Sequence, residues 1–259
     1  MIVTESSLKL WGAYDNIEQY ISAYKECGYG FSVTKISPHI LEEQRELNYQ
    51  YLQSYEFTDE DIKELCAPTI KYLKDAMCGD YTTIKFLGIN ENADVNSWQR
   101  ALYTSKYMLG DPYVIDSVHR YIKKKMNDAK IGKLFVNGNY QIASGDPFAL
   151  MQSICGLNVT GLLRANECYS KFWVDKNENE IVVFRSPMTS HNNIRMCKVN
   201  SSNDCQYWYQ YMDTIMIING WDSFCMAENG EDYDSDLNFS TNNAVLKRRY
   251  RYLPAIECV

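Results

Sequence analysis

The sequence predicts an α+β protein with a helical first half, residues 1–130, and a strand-rich second half, residues 131–259. Two observations predict this division. Apolar residues recur at helical spacing in the first half. From about residue 131 onward, short apolar runs alternate with turn-forming pieces, which is typical of strands. We therefore expect a helical region followed by a compact β domain.

Two segments of the first half predict helices. In TDEDIKELCAPTIKYLKDAM, Thr58 and Asp61 have the spacing of a capping box, and Pro68 is expected to kink or divide the helix. Pro112, a residue favoured in the first turn, opens the second helix. We expect its apolar stripe to pack in the core; the stripe comprises Val114, Val118, Tyr121, Ile122 and Met126.

The second half contains one candidate hairpin and three further candidate strands. The hairpin is KLFVNGNYQIA, because Asn137-Gly138 between two apolar runs is the dipeptide that best suits a two-residue turn. The further strands are ENEIVVFRSP, DTIMIING and DLNFST. Helices are also expected near residues 146–155 and 203–212.

Composition restricts the compartment and the metal chemistry. No stretch approaches the roughly 20 apolar residues that span a bilayer, and the start, MIVTESSLKLWG, has no basic segment followed by an apolar run. We therefore expect a cytoplasmic protein with no membrane partner. The nine cysteines are scattered without a C-x-x-C pair, so we expect reduced thiols. The three histidines are dispersed, and any metal is expected to have oxygen ligands.

The net charge of −7 argues against a surface coated by nucleic acid. Two local segments, 120–133 and 246–252, are nevertheless basic. Each segment could bind a nucleic-acid backbone or form a solvated helix face.

The segment EDYDSD, residues 231–236, places four acids within six positions. Like charges this close disfavour one another's ionisation, so a cation or strong donors are expected beside them. A calcium loop of the EF-hand type is excluded because, counted from Asp232, Leu237 and Asn243 stand where glycine and glutamate are required. A solvated turn, a magnesium site for phosphoryl chemistry and a nuclease site remain open.

Three carboxylates on this segment can meet one ion only if the chain curls. Residues two apart in an extended strand are separated by roughly 6.6 Å. Gly230, directly before the segment, permits such a curl.

The motifs around this segment resemble those of a known superfamily. Arg185-Ser186-Pro187, with Thr189 and His191, resembles the R-x-P-T-x-H segment of the largest RNA polymerase subunit, and HNNIR resembles H-P-G-D-[IV]-R. GLLRANECYSKFW resembles the segment in which G-x-L and a glutamate precede a strand. The matches to D-x-D-G-D are Asp232, Asp234 and Asp236. Over about residues 140–246 the order resembles the catalytic double-psi β-barrel of the two-barrel RNA polymerases. These include silencing-type RNA-dependent RNA polymerases and single-chain phage relatives.

This resemblance implies a nucleotidyltransferase that adds nucleotides to an RNA 3′ end. Its implied partners are nucleoside triphosphates, a nucleic-acid template and the RNA product. It implies Asp232, Asp234 and Asp236 as catalytic residues and as ligands of Mg²⁺ in a two-metal mechanism, with Mn²⁺ as the alternative ion. The implied substrate-binding residues are Arg185, Arg195 and His191. The phage relatives also suggest a phage or mobile element as the source.

Two features leave alternatives open. Ser235 stands at the glycine of the signature, and a positive φ there would cost about 1 kcal/mol or more. The family also builds its site from two barrels, whereas one is expected here. Three explanations are open: a partner chain supplies the second barrel, this chain is a fragment of a longer polymerase, or its barrel is not catalytic. The alternative functions are a metal-dependent nuclease or phosphodiesterase and a nucleic-acid or protein interaction domain.

Overall fold

The computed structural model describes residues 8, 10–30, 32, 40–86 and 96–256. The elements before residue 131 are helix α1 (Ile17–Glu26), strand β1 (Gln44–Glu46), and helices α2 (Gln50–Gln53), α3 (Asp59–Met77), α4 (Tyr81–Phe86), α5 (Ser97–Thr104) and α6 (Pro112–Lys130). None of the helices in the described ranges combines the length and apolarity needed to span a bilayer.

The part after residue 130 alternates strands with short helices. In chain order these are β2 (Phe135–Gly145), α7 (Pro147–Ile154), β3 (Glu167–Tyr169), α8 (Lys171–Asp175), β4 (Glu180–Phe184), β5 (Arg195–Val199), α9 (Asn203–Trp208), β6 (Ile215–Ile218), α10 (Phe224–Ala227), β7 (Leu237–Thr241) and α11 (Ala244–Arg248). The mixture of helix and sheet predicted from the sequence is thus confirmed.

The two long helices form for the local reasons that the sequence indicates. Thr58 caps α3 in a capping box, in which its own N–H donates to Asp61 Oδ2 at 2.9 Å. Pro68 lies inside α3 without dividing it. In α6, the Asp111 side chain accepts the Val114 N–H, and the buried stripe of the helix packs against α3 and α5. Met126 is partly exposed, whereas Val114, Val118 and Ile122 are buried.

Six strands close into a barrel in the order β2-β6-β3-β5-β4-β7, and β7 pairs back onto β2. The pairs β2–β6 and β3–β5 are parallel, and the other four pairs are antiparallel. Strand β1 adds to the first part of β2 as an antiparallel neighbour.

The hairpin predicted at Asn137-Gly138 is wrong, because β2 runs through this dipeptide without turning. Gly138 pairs with Thr241 of β7, and a Cβ on residue 138 would lie 2.5 Å from the Ser240 carbonyl oxygen. The glycine is therefore explained by the close approach of β7 and not by a turn.

The helical region and the barrel share one apolar core. Tyr51 of α2 stacks on Phe184 of β4 and Phe239 of β7, with ring centroids 4.7 and 5.5 Å apart. Leu65 of α3 belongs to the same buried cluster. A second cluster lies on the other side of the strands and contains Trp173. The indole N–H of Trp173 donates to Ser240 Oγ at 2.8 Å. The division into domains at residue 130 stays a prediction.

The cysteines that the structure describes are free, and Cys258 and His39 lie outside the described residues.

Candidate metal centre

One end of the barrel brings together four strand ends that are far apart in the sequence. Gly145 at the end of β2 pairs with Ile218 at the end of β6. Phe184 at the end of β4 pairs with Phe239, two residues into β7. The segments that continue from these strands, including the acidic segment before β7, therefore lie at the same end. The register of the barrel, set by its buried faces, positions this site.

Asp232, Asp234 and Asp236 converge at this end. One carboxylate oxygen from each lies within 4.8 Å of the others. Ligand oxygens around an octahedral Mg²⁺ are separated by about 3.0 to 4.2 Å, given metal–oxygen distances of about 2.1 Å. The three carboxylates therefore fit a single hard cation after a small adjustment, and they would be its protein ligands. The predicted curl is present: residues 233–235 form a turn, and Gly230, directly before the segment, has a φ of +67°.

The carboxylates repel one another, and their contacts offset part of that repulsion. The neighbouring Asp234 raises the pKa of Asp232, chiefly through a hydrogen bond between the two side chains. Asp236 Oδ2 accepts the Asp232 backbone N–H at 3.0 Å. The same oxygen lies 2.7 Å from Arg185 Nη2, so both contacts use Oδ2 rather than Oδ1.

Arg185 joins the aspartate segment to the preceding loop. Its Nη1 donates to the carbonyls of Glu228 at 2.8 Å and Asn229 at 3.3 Å, while its Nη2 pairs with Asp236. The planar guanidinium suits this bridging role, because its donors point in fixed directions. Arg185 is thus the sequence-predicted substrate residue that lies at the aspartates.

The other two predicted substrate residues make their contacts elsewhere. Arg195 is buried, donates to the Leu253 carbonyl at 2.8 Å and stacks on Tyr252 at 5.4 Å. His191 Nδ1 lies 3.1 Å from the Ser54 carbonyl oxygen. These contacts join α2 and the segment after α11 to the barrel, and none of them is with the aspartates. The substrate roles of Arg195 and His191 stay predictions.

Two glutamates near the aspartates are buried: Glu231, the first residue of the acidic segment, and Glu228, three residues earlier. Burial raises the pKa of Glu231 to about 7 and holds the pKa of Glu228 well above its usual range. The like charge of Glu231 adds to the rise at Glu228, and that of Asp236 adds to the rise at Glu231. Arg195 and Arg185 act in the opposite direction on Glu228. Composition alone could not separate Glu228 from surface acids, because its burial depends on the tertiary fold.

Two cavities adjoin the aspartates. A cavity of about 340 Å³ is lined in part by Asp236, Arg185, Ser235 and Asn48, the last from the segment before α2. A larger cavity of about 750 Å³ is lined in part by Asp232 and Asp234. Each of the three metal-ligand candidates therefore lines a cavity large enough for a small ligand.

Matches to two RNA polymerases stand out in a comparison with known proteins. The chain is 28% identical over 192 residues to the DNA-directed RNA polymerase YonO of Bacillus phage SPbeta, a match that covers 72% of this chain and 22% of that protein. Its fold resembles that of the RNA-dependent RNA polymerase QDE-1 from Thielavia terrestris, with a TM-score of 0.57, 12% identity and coverage of 84% of this chain and 26% of that one. Both matched proteins are RNA polymerases, in agreement with the resemblance to the two-barrel RNA polymerases that the motifs indicate. No family model matches the sequence.

Ser235 stands at the glycine position of the D-x-D-G-D signature that the segment resembles. Its φ is +107°, in a region that L residues rarely adopt. The backbone is therefore strained at Ser235, the position where the signature has glycine. The three aspartates of the signature are all present.

Proposed function

We propose that this chain is the metal-binding barrel of an RNA polymerase and that it takes part in adding nucleotides to an RNA 3′ end. The convergence of Asp232, Asp234 and Asp236 at one end of a closed six-stranded barrel carries the proposal. The two matches support RNA polymerase activity in general. Its proposed partners are nucleoside triphosphates, a template and the RNA product, and its proposed setting is the cytoplasm.

In this proposal the three aspartates hold Mg²⁺, or Mn²⁺ in its place. The 3′ hydroxyl of the RNA forms a bond to the α-phosphate of the nucleoside triphosphate, and pyrophosphate leaves. Divalent cations at such a site stabilise the charge on the attacking and leaving oxygens. Arg185 orients Asp236 and contacts the nucleotide sugar, as the matching motif implies.

The chain spans 22% of the phage polymerase and 26% of the QDE-1 chain that it matches. We propose that the remaining parts of the active site, including a second barrel, come from a longer chain or from a partner. Under this proposal residues 131–259 form the catalytic double-psi barrel and residues 1–130 form a helical region packed against it.

Calorimetric titration of the chain with Mn²⁺ tests the metal site. We expect one or two ions to bind to the wild type, and the Asp234→Asn variant to bind at least about tenfold more weakly, because a ligand charge is lost. Asp213→Asn is the matched control, since Asp213 pairs with Lys171 away from the triad. Equal binding by wild type and Asp234→Asn would contradict the metal site.

A second assay separates nucleotidyl transfer from nuclease activity. Primed RNA and nucleoside triphosphates are incubated with Mn²⁺ and a polymerase assembly that contains this barrel. Extension of the RNA that Asp234→Asn abolishes supports the proposal. Shortening of the RNA that depends on the same residue would favour a metal-dependent nuclease.

A further inference from the structure

Trp221 presents its indole to solvent from a fixed turn. The side chain is 69% exposed, three residues after the end of β6. The backbone N–H of Trp221 donates to Asn219 Oδ1 at 2.6 Å. The next side chain, Asp222, accepts the N–H groups of Phe224 and Asn166, each at 2.9 Å. These hydrogen bonds hold the backbone on both sides of Trp221 in a defined turn.

Trp221 lines the 750 Å³ cavity that Asp232 and Asp234 also line. Leu150, Val159 and the ring of Tyr233 contribute further apolar wall. The volume falls within the range of small-molecule pockets, which combine apolar walls with a few polar groups. A flat aromatic ligand would find both a stacking surface and a space of suitable size.

The charge of the cavity restricts what can enter. Five acids belong to its lining: Asp146, Asp222, Glu231, Asp232 and Asp234. Among the described residues, no lysine, arginine or histidine lines it. Asp146 and Asp222 already accept backbone N–H groups. An uncharged planar group is compatible with this lining, whereas a phosphate is repelled unless a cation neutralises Asp232 and Asp234.

We propose that this cavity binds a nucleobase, stacked on Trp221, of a nucleotide whose phosphates meet the metal held by Asp232 and Asp234. The assignment rests on the proposed function for the phosphates and the metal. The base site itself rests on the exposed indole, the cavity and its charge. Stacking of a base on an aromatic side chain accounts for recognition without a specific base edge.

Fluorescence titration with adenosine and with adenosine monophosphate tests the site. Without metal, adenosine is expected to quench the tryptophan emission, and the monophosphate to bind severalfold more weakly because of the acidic lining. With Mn²⁺ the order reverses, and the monophosphate binds more tightly than adenosine. Monophosphate binding that matches or exceeds adenosine binding without metal would overturn the proposal.

Variants assign the signal to one indole. Trp221→Ala is expected to weaken adenosine binding at least about fivefold, and Trp221→Tyr to retain most of it, because a ring remains. Trp208→Ala is the matched control: its side chain is 54% exposed but outside the cavity lining. Since both tryptophans are exposed, we expect unchanged thermal midpoints. Adenosine binding that survives Trp221→Ala unchanged would contradict the base site.

The Mn²⁺ titration and the adenosine titration test the two proposals separately. Mn²⁺ binding without adenosine binding overturns the base site and leaves the proposed metal centre. Adenosine binding that depends on Trp221, in a chain that binds no Mn²⁺, supports the base site and contradicts the proposed function.

Discussion

The ring of Tyr233 lies against the backbone of Gly145 so closely that a Cβ on residue 145 would stand 2.9 Å from ring atom Cε2. The Tyr233 hydroxyl lies 3.3 Å from Cys225 Sγ. Tyr233 separates Asp232 from Asp234 in the sequence. The packing therefore anchors the segment that carries two of the metal-ligand candidates to the end of β2.

Gly145→Ala is expected to weaken Mn²⁺ binding on the order of tenfold, because the added methyl displaces Tyr233 and, with it, the neighbouring carboxylates. Calorimetry measures the change. Gly220→Ala is the control, since a Cβ there meets nothing within 4 Å and Gly220 lines the same cavity. If both variants bind Mn²⁺ like the wild type, Tyr233 does not position the carboxylates.

Ser235→Gly is expected to stabilise the chain by about 1 kcal/mol, since glycine adopts the observed φ of +107° without strain and loses only part of that gain to unfolded-state entropy. Ser235→Ala keeps the strain and should not stabilise. Denaturant unfolding compares the two. Equal stability of both variants would show that the hydroxyl, and not the backbone, determines the effect.

His191 should make stability fall as the pH drops below about 6.5. Burial lowers the pKa of His191 in the fold, so the unfolded chain binds more protons in this range and acid favours unfolding. In the fold, Nε2 accepts the Arg251 N–H at 3.2 Å, a contact that protonation removes.

Thermal midpoints between pH 5 and 7.5 measure this slope. The slope should be smaller in His191→Gln and unchanged in His119→Gln, because His119 is exposed. An unchanged slope in His191→Gln would assign the effect to other groups.

Asp61 links α3 to α11. The side chain pairs with Arg248 at 2.7 Å and with Arg249 at 2.6 Å. The hydrogen bond from Arg248, followed by those from Thr58 and Arg249, holds the pKa of Asp61 well below its usual range. Its stabilisation is therefore present above about pH 4 and is lost as the pH falls toward the folded pKa.

Asp61→Asn should lower the thermal midpoint at pH 7, and the difference from the wild type should shrink in acid. Asp59→Asn is the control, because Asp59 is an exposed residue in the same first turn. A difference that does not change with pH would point to lost packing instead of lost charge.

Local signals made the helices predictable. Caps at Thr58 and Asp111 and an apolar stripe in α6 act within a few residues of the chain, and the fold retains them. The Asn137-Gly138 signal is equally local, yet pairing with β7, about 100 residues further on, determines the conformation there. A sequence pattern does not contain that long-range contact.

The candidate site divides in the same way. The order of motifs predicted Asp232, Asp234 and Asp236 together with Arg185, because these lie on segments with recognisable patterns. The sequence did not indicate Trp221 or the contact of Tyr233 with Gly145. Both depend on the register that pairs Gly145 with Ile218, which is a property of the closed barrel.

The topology also sets the order in which the site can be made. β7 closes the barrel by pairing with β2 and β4, and the aspartate segment leads directly into it. During synthesis, the carboxylates reach their places only after the residues of β7 have emerged and paired over a sequence separation of about 100 residues, the kind of contact that forms slowly. Metal affinity in a nascent or truncated chain would therefore report on barrel closure.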